Sequence, residues 1–496
     1  MSSSPTRDLT QGPIASTLVV FALPILAGNV LQSLNGSVNA MWIGHYLGEA
    51  AITATANANN IMFLLIGLVF GVGMAATILV AQSMGAKDLQ QARRVMGSSA
   101  TFFGLASVGI AALGYPLSRH ILQWMGTPEP ALPLADSYLR VIFLAIPLLY
   151  LFAFVSAILR GAGDTRTPFV FLLLVVVLDV ILNPVLIFGW GPFPAMGITG
   201  AATATLVSNA ISFVAMLLWL YHRRHPLWIG RRQLHYFLPR AAILRALVIK
   251  GLPMGAQMVM ISLAMLMMMS MVNSYGIDTS SAYGAALQLW TYVQMPAMAI
   301  GAACSTMAAQ NVGARLWSRV DGTAHAGIWC NLWMTGLLII PLVLLDRHVL
   351  GLFLPADSAA IAAARHLNHI AIGSFVFFGV TFVISGVVRS TGAVMPPLII
   401  LAISLWGIRL PLAKWLQPWL GADAIWWSFP ASSICAMVMS MAYYRWGHWR
   451  EARMLPADAH AEETVATPAE IGGQPPAPVC ALGRLHQPSP TTSRTT

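Results

Sequence analysis

Charge is what this sequence has least of: only 9% of its 496 residues are Asp, Glu, Lys or Arg, against 57% hydrophobic. That balance excludes a soluble globular chain of this size and leaves a polytopic membrane protein. Whole stretches, 50–86 and 279–314, carry no charge at all, longer than an ordinary core helix tolerates. Cysteine is scarce too. Cys304, Cys330, Cys435 and Cys480 show no CxxC or ligand-like spacing, so neither a metal site nor a disulfide framework is expected. No Walker loop, nucleophile elbow or His cluster appears, which argues against an enzyme. The net charge of +10 is scattered singly between apolar segments, unlike the gathered patch of a nucleic-acid binder. The opening residues MSSSPTRDLTQGPI lack the basic-then-apolar pattern of a removable signal.

What is present is a series of apolar runs of spanning length. Six lie at 14–42, 50–81, 100–117, 141–159, 168–189 and 200–221, and six more at 251–275, 282–309, 326–345, 367–388, 393–416 and 425–444. The expected fold is therefore all-α, with twelve transmembrane helices in two pseudo-symmetric six-helix lobes. Residues 1–12 form an N-terminal tail, 13–221 the N-lobe, 222–242 a basic linker, 243–445 the C-lobe and 446–496 a disordered Pro-, Ala-, Ser- and Thr-rich tail. With the N-terminus inside, the inner loops carry fifteen Lys and Arg and the outer loops four. This places both termini in the cytoplasm and the protein in the plasma (inner) membrane.

The halves repeat. ALPILAG around Pro24 returns as GLPMGAQ around Pro253, AQSMGAK as AQNVGAR, and LRGAGDTRTP as VRSTGAVMPP, at offsets of 228 or 229 residues. An even six-helix unit repeated this way predicts two parallel lobes with a cavity between them near the midplane. Pro24, Pro184 and Pro253 are the hinge or structural prolines of that scheme.

One run stands apart. PFVFLLLVVVLDVILNPVLIFG, residues 168–189, spans roughly 33 Å as a helix, yet carries Asp179 near its middle, where an ionised group costs several kcal/mol unless partnered. Asn183 follows one turn later on the same face, and Pro184 withholds the N–H that the Val180 carbonyl needs. A buried structural carboxylate is one reading; a proton or cation site is the sharper one.

Other polar side chains sit within lipid-length sequence. Asn29, Gln32, Gly36 and Asn39 form a stripe on the first segment, and Asn57 and Asn60 continue it on the second. Such amides either bond helices together or line a wetted cavity. The seventh segment holds eight Met between 254 and 271, of which Met258 and Met265 are candidate lining residues for promiscuous apolar binding. Gln288, Trp290 and Gln294 on the eighth segment are further candidates, with Trp426 and Trp427 read as an interfacial belt. Arg409, in SLWGIRLPL, lies 230 residues after Asp179, almost its repeat partner.

DLTQGPI leading to FALP, the loop AQSMGA, LRGAGDTRTP followed by LNPVLIFG, and GITGAATAT together resemble the multidrug and toxic compound extrusion (MATE) family. The resemblance covers nearly everything but the tail. It implies an antiporter that exports amphipathic, often cationic compounds in exchange for protons or sodium by alternating access of two lobes. It implies no cofactor, and a monomer working with small substrates and the bilayer, not with nucleic acid. The DinF-like branch is similar in using an Asp on the first helix, an Asn and an Asp one turn apart on the fifth, and a Thr in GAAxAT. Here the corresponding positions are Asn39, Asp179 with Asn183 in exchanged order, and Thr205. The NorM-like acids of the seventh and tenth helices are absent: 251–277 and 358–389 contain no Asp or Glu. The resemblance thus points to Asp179, Asn183, Asn39 and Thr205 as the coupling set, nearer the DinF-like branch. A flippase for lipid-linked saccharides is the alternative from the same superfamily, and a membrane enzyme or scaffold a remote one.

Overall fold

Apolar runs interrupted by short Gly- and Pro-bearing loops leave helices as the only solution inside lipid, since every backbone polar group must be satisfied within its own segment. The computed structural model describes residues 7–191, 194–351 and 359–455. The expected tail from Pro456 onward lies outside them. Among the described residues every regular element is helical: α1 Ile14–Leu47, α2 Glu49–Gly85, α3 Leu89–Trp124, α4 Leu132–Gly161, α5 Arg166–Phe188 and α6 Ile198–His222. A 3-10 turn at Arg231–Phe237 then leads to α7 Ala241–Asn273, α8 Ile277–Gly313, α9 Trp317–Leu344, the short α10 Asp346–Leu350, α11 Ala359–Ala371 and α12 Ser374–Arg389. The last elements are α13 Met395–Ala402, a π-helical segment Ile403–Arg409, α14 Leu410–Leu420 and α15 Asp423–Trp446. The tenth span is the pair α11 and α12, bent by 44°; the eleventh runs Met395–Leu420 through the π-helical segment. Nine helices among the described residues are long and apolar enough to span, ten with the bent pair. The more polar α8 and the partly described α2 complete the twelve.

Helices α1–α6 pack as one lobe and α7–α15 as the other, and the lobes meet where α2 crosses α7 and α8 and where α1 crosses α8. The repeat motifs sit at that seam. A Cβ on Gly85 would overlap the Gln310 carbonyl, and one on Gly313 would overlap the Gln82 carbonyl, so the two glycines allow a symmetric backbone crossing of α2 and α8 that no side chain permits. The inter-lobe hydrogen bonds gather at the same end: Gln82 Nε2 donates to the Ser390 carbonyl at 2.6 Å and Gln310 Nε2 to the Gly161 carbonyl at 3.0 Å.

Three boundaries differ from the sequence expectation. Residues 7–12 are a strap, not a loose tail: Leu9 is 0% exposed, its N–H donates to Gln310 Oε1 at 3.1 Å, and its carbonyl accepts from Asn311 Nδ2 at 3.3 Å. The linker is folded onto α3, with Arg93 Nε on the Pro226 carbonyl at 2.8 Å and Thr101 Oγ1 on the Phe237 carbonyl at 2.6 Å. The folded lobe continues past 445, burying Trp449 and Met454. Apolar anchors explain all three. Leu9 and Trp449 stand singly among polar neighbours and Leu227 opens the three-residue run Leu227, Trp228 and Ile229, all too short to give a periodic signal. Arg389, counted as a loop charge, is also buried, with Nη1 on Gln257 Oε1 at 2.9 Å.

A titratable pair outside the spans joins the linker to the turn between α4 and α5. Asp164 caps α5, accepting from the N–H groups of Arg166 at 3.1 Å and Thr167 at 3.0 Å. Buried His225 has Nε2 3.9 Å from Asp164 Oδ2. Its Nδ1 accepts from the Leu227 N–H at 3.3 Å, which leaves the neutral ring's proton on Nε2, facing the carboxylate. Burial lowers the His225 pKa to about 4 and raises that of Asp164. A depressed histidine binds fewer protons folded than unfolded, so its contribution to stability falls as pH drops from about 6.5 towards 4; Asp164 works in the opposite sense. If His225 governs, the wild type should lose up to about 2 kcal/mol between pH 7 and 5 that His225→Asn does not lose. Melting of the two proteins in detergent across that range checks it, and parallel pH profiles would refute it.

Candidate ion and substrate site

Asp179 reaches the interior of the N-lobe because α5 places it one turn before Asn183 on the face that packs against α1 and α6. It is 1% exposed. Oδ2 accepts from Asn35 Nδ2 and Asn39 Nδ2, both at 2.9 Å, and Oδ1 accepts from Thr205 Oγ1 at 3.2 Å. Asn183, also buried, donates through Nδ2 to the Asp179 carbonyl at 2.8 Å and to Asn39 Oδ1. The set is thus one carboxylate held by two amides and a hydroxyl, with a third amide bracing its backbone. No Lys or Arg is paired with it among the described residues. Two buried acceptors of this group, Asn35 Oδ1 and Asn183 Oδ1, take no hydrogen bond from the described residues, and the Tyr138 phenol of α4 lies within electrostatic reach of Asp179.

Asn35 and Tyr138 were missed in the sequence. The stripe drawn through Asn29, Gln32, Gly36 and Asn39 passes beside Asn35, although Asn35 and Asn39 share the four-residue spacing of Asp179 and Asn183; matching those two spacings was the available signal. Tyr138 had no such signal.

The remaining candidates divide by surroundings. Gln32 and Gly36 are exposed, and Asn29 is half-buried; they lie on the side of α1 opposite the exposed Leu23, Leu34 and Met41, and open space adjoins Gly36. Asn60 is exposed, while Asn57 Nδ2 donates to Thr127 Oγ1 at 3.3 Å. Met265 and Gln288 are exposed, Gln294 and Met258 half-buried, and Met258 packs beside Gly67 of α2. Trp290 is corrected: it is 1% exposed, its Nε1 donates to Asn368 Oδ1 at 2.9 Å, and Phe429 and Phe375 pack on it at 5.2 and 5.5 Å. A ring so enclosed fills the C-lobe core. Trp426 is likewise buried, stacked on Tyr283 at 5.6 Å, whereas Trp427 is exposed. Pro24 and Pro253 stand inside α1 and α7, and Pro184 is buried inside α5. Among the described residues no three His, Cys, Asp or Glu side chains gather as a metal site.

Twelve spans in two lobes, with buried polar groups at mid-span and an inter-lobe seam at one end, define a membrane carrier. The MatE family model matches residues 24–185 and 253–415, one match per lobe at the repeat offset. The chain belongs to the MatE family of multidrug efflux transporters and is not an enzyme. It is 33% identical over 442 residues to the probable multidrug resistance protein YoeA of Bacillus subtilis, covering 89% of this chain and 95% of that one. Over 449 residues it is 32% identical to YpnP of the same organism, covering 90% and 98%. Among solved structures it resembles a multidrug resistance MATE family transporter of the MOP superfamily in an outward-facing conformation, with TM-score 0.82, 20% identity and coverage of 90% and 98%. VcmN, a MATE transporter of Vibrio cholerae, gives TM-score 0.81, 20% identity and coverage of 87% and 96%.

Proposed function

We propose that this protein is a secondary antiporter that exports amphipathic, often cationic compounds across the plasma membrane, both termini cytoplasmic, by coupling their exit to cation entry at Asp179. The observation that carries the coupling is the mid-span carboxylate itself, buried among amide and hydroxyl donors without a basic partner among the described residues, where an ionised group is costly until a cation reaches it. A proton is the simplest such cation, since it needs no further ligands. Sodium is the second reading, favoured by the orphaned Asn35 and Asn183 oxygens, because a hard cation takes several oxygen ligands. In either case the ion must bind the two facing states with different affinity, or it drives nothing. The multidrug names of the relatives and the exposed stripe of α1 support the substrate class. The fifteen-to-four loop charge bias supports a cytoplasmic position for the α2–α8 seam, which makes the cytoplasmic end the sealed one in this reading. The DinF-like assignment rests on the helix 5 and helix 6 positions, and the monomer on the self-contained pair of lobes.

Ethidium efflux into everted vesicles, with proton and sodium gradients imposed separately, tests this. Efflux driven by the proton gradient alone is the expected result. Efflux answering only to sodium would transfer the site to that ion, and efflux indifferent to both would end the antiport reading.

A further inference from the structure

The C-lobe carries the opposite charge at the place that mirrors Asp179. Repeat anchors recur at 228 or 229 residues, and Arg409 follows Asp179 by 230. The extra residue has a structural origin: Ile403–Arg409 is π-helical, and the Leu410 N–H bonds the Leu405 carbonyl, one residue further back than in an α-helix. The family match shows the same step, starting at 24 and 253 but ending at 185 and 415. With that one-residue insertion allowed for, Arg409 occupies the mid-span position of the eleventh helix that Asp179 occupies in the fifth.

Its surroundings are not those of a structural arginine. The guanidinium stacks over Phe429, 4.4 Å from the ring centroid, and Nε donates to Ser432 Oγ at 2.8 Å. That oxygen in turn donates to the Phe429 carbonyl at 3.0 Å. The two Nη groups have no hydrogen-bond partner among the described residues, and no described carboxylate pairs with Arg409: Asp346 is taken by Arg365 and His369, Asp423 by His366 and Asp321 by Arg450. Arg409 is half-buried. The Tyr283 phenol lies within its electrostatic reach, and Trp406, one turn earlier, has a buried indole N–H without an acceptor among the described residues. A planar cation with a free fork, backed by an aromatic ring inside a lipid-length helix, is built to take a planar anion bidentately.

We propose that Arg409 is the C-lobe subsite for the carboxylate of an aromatic, amphipathic substrate, so that the transporter accepts zwitterions and organic anions as well as cations. Phe429 backs the guanidinium, and Trp406, one turn away, offers its indole N–H. This deepens the exporter reading and rests on it for transport, but not for binding.

Binding is therefore the test. Equilibrium dialysis of purified protein in nonionic detergent compares 1-naphthoate with its neutral isostere 1-naphthamide, with and without added phosphatidylglycerol. Wild type should prefer naphthoate by about tenfold or more, as expected where a polar site is left unpaired by the wrong ligand. Arg409→Gln should bring the ratio near one. Arg409→Lys, which keeps the charge and loses the fork, should fall between and serves if the Gln variant does not fold. A ratio near one in wild type, an unchanged ratio in the variants, or an Arg409-dependent preference only for the lipid would overturn the assignment. Arg409-dependent naphthoate binding in a protein that exports no ethidium would sink the exporter reading and leave the anion site standing.

Discussion

Asp179→Asn should reduce gradient-driven ethidium efflux to the level of empty vesicles while leaving the protein inserted and folded. The substitution is sterically silent, and the site can satisfy it: the new amide oxygen accepts from Asn35 and Asn39 as Oδ2 does now, and the new amide nitrogen donates to the Thr205 hydroxyl. Charge-assisted bonds of about 1.5–3 kcal/mol become neutral ones of about 0.5–1.5, but the cost of holding an ionised group at that depth disappears with them. Stability should therefore move little, and the loss should fall on coupling. Measured melting temperature and efflux rate separate the two. Normal pumping by Asp179→Asn would make the carboxylate structural and remove the basis of the proposed mechanism.

Gly85→Ala and Gly313→Ala should each open the end at which α2 crosses α8. The added methyl in either case meets carbonyl and Cα atoms of the crossing helix, not the flexible end of a side chain, so the helices must part. Overpacking of this kind costs about 1–3 kcal/mol, and about 3 kcal/mol placed on one facing state shifts a two-state population by roughly a hundredfold. Spin labels on Lys87→Cys and Arg315→Cys report the change, because both positions are exposed at the ends of α2 and α8. A longer label-to-label distance is expected in both variants, together with impaired export. An unchanged distance distribution would mean that the crossing is not the gate.

The spans, the repeat and the mid-membrane carboxylate could be read from the chain because each is written in many residues or in one very improbable one. Twelve runs of about twenty apolar residues have no competing explanation, and an Asp amid LLLVVVL stands out against its neighbours. What escaped reading was written in few residues. The strap depends on Leu9, the folded linker on Leu227 and Tyr236, and the segment past 445 on Trp449 and Met454; so few anchors produce no period. Asn35 was hidden by a different limit. A helix face is about 100° wide, and the stripe through Gly36 and the stripe through Asn35 are neighbours whose separation only the packing of α1 on α5 decides. Trp290 was misplaced for a similar reason, since an aromatic ring suits a cavity wall and a lobe core equally until its indole partner, Asn368, is seen.

The Arg7–Gly12 strap bears on how the molecule is handled at the bench. Arg7 donates its N–H to the Gly163 carbonyl at 3.2 Å, Leu9 is clasped by Gln310 and Asn311, and Arg319 Nη2 donates to the Gly12 carbonyl at 3.1 Å, so the start of the chain stitches one lobe to the other. An affinity tag, fluorescent fusion or nanobody epitope joined just ahead of Arg7 should pull on that stitch and, under the proposed alternating access, weight the balance between facing states. The same addition made after Leu455 leaves it alone.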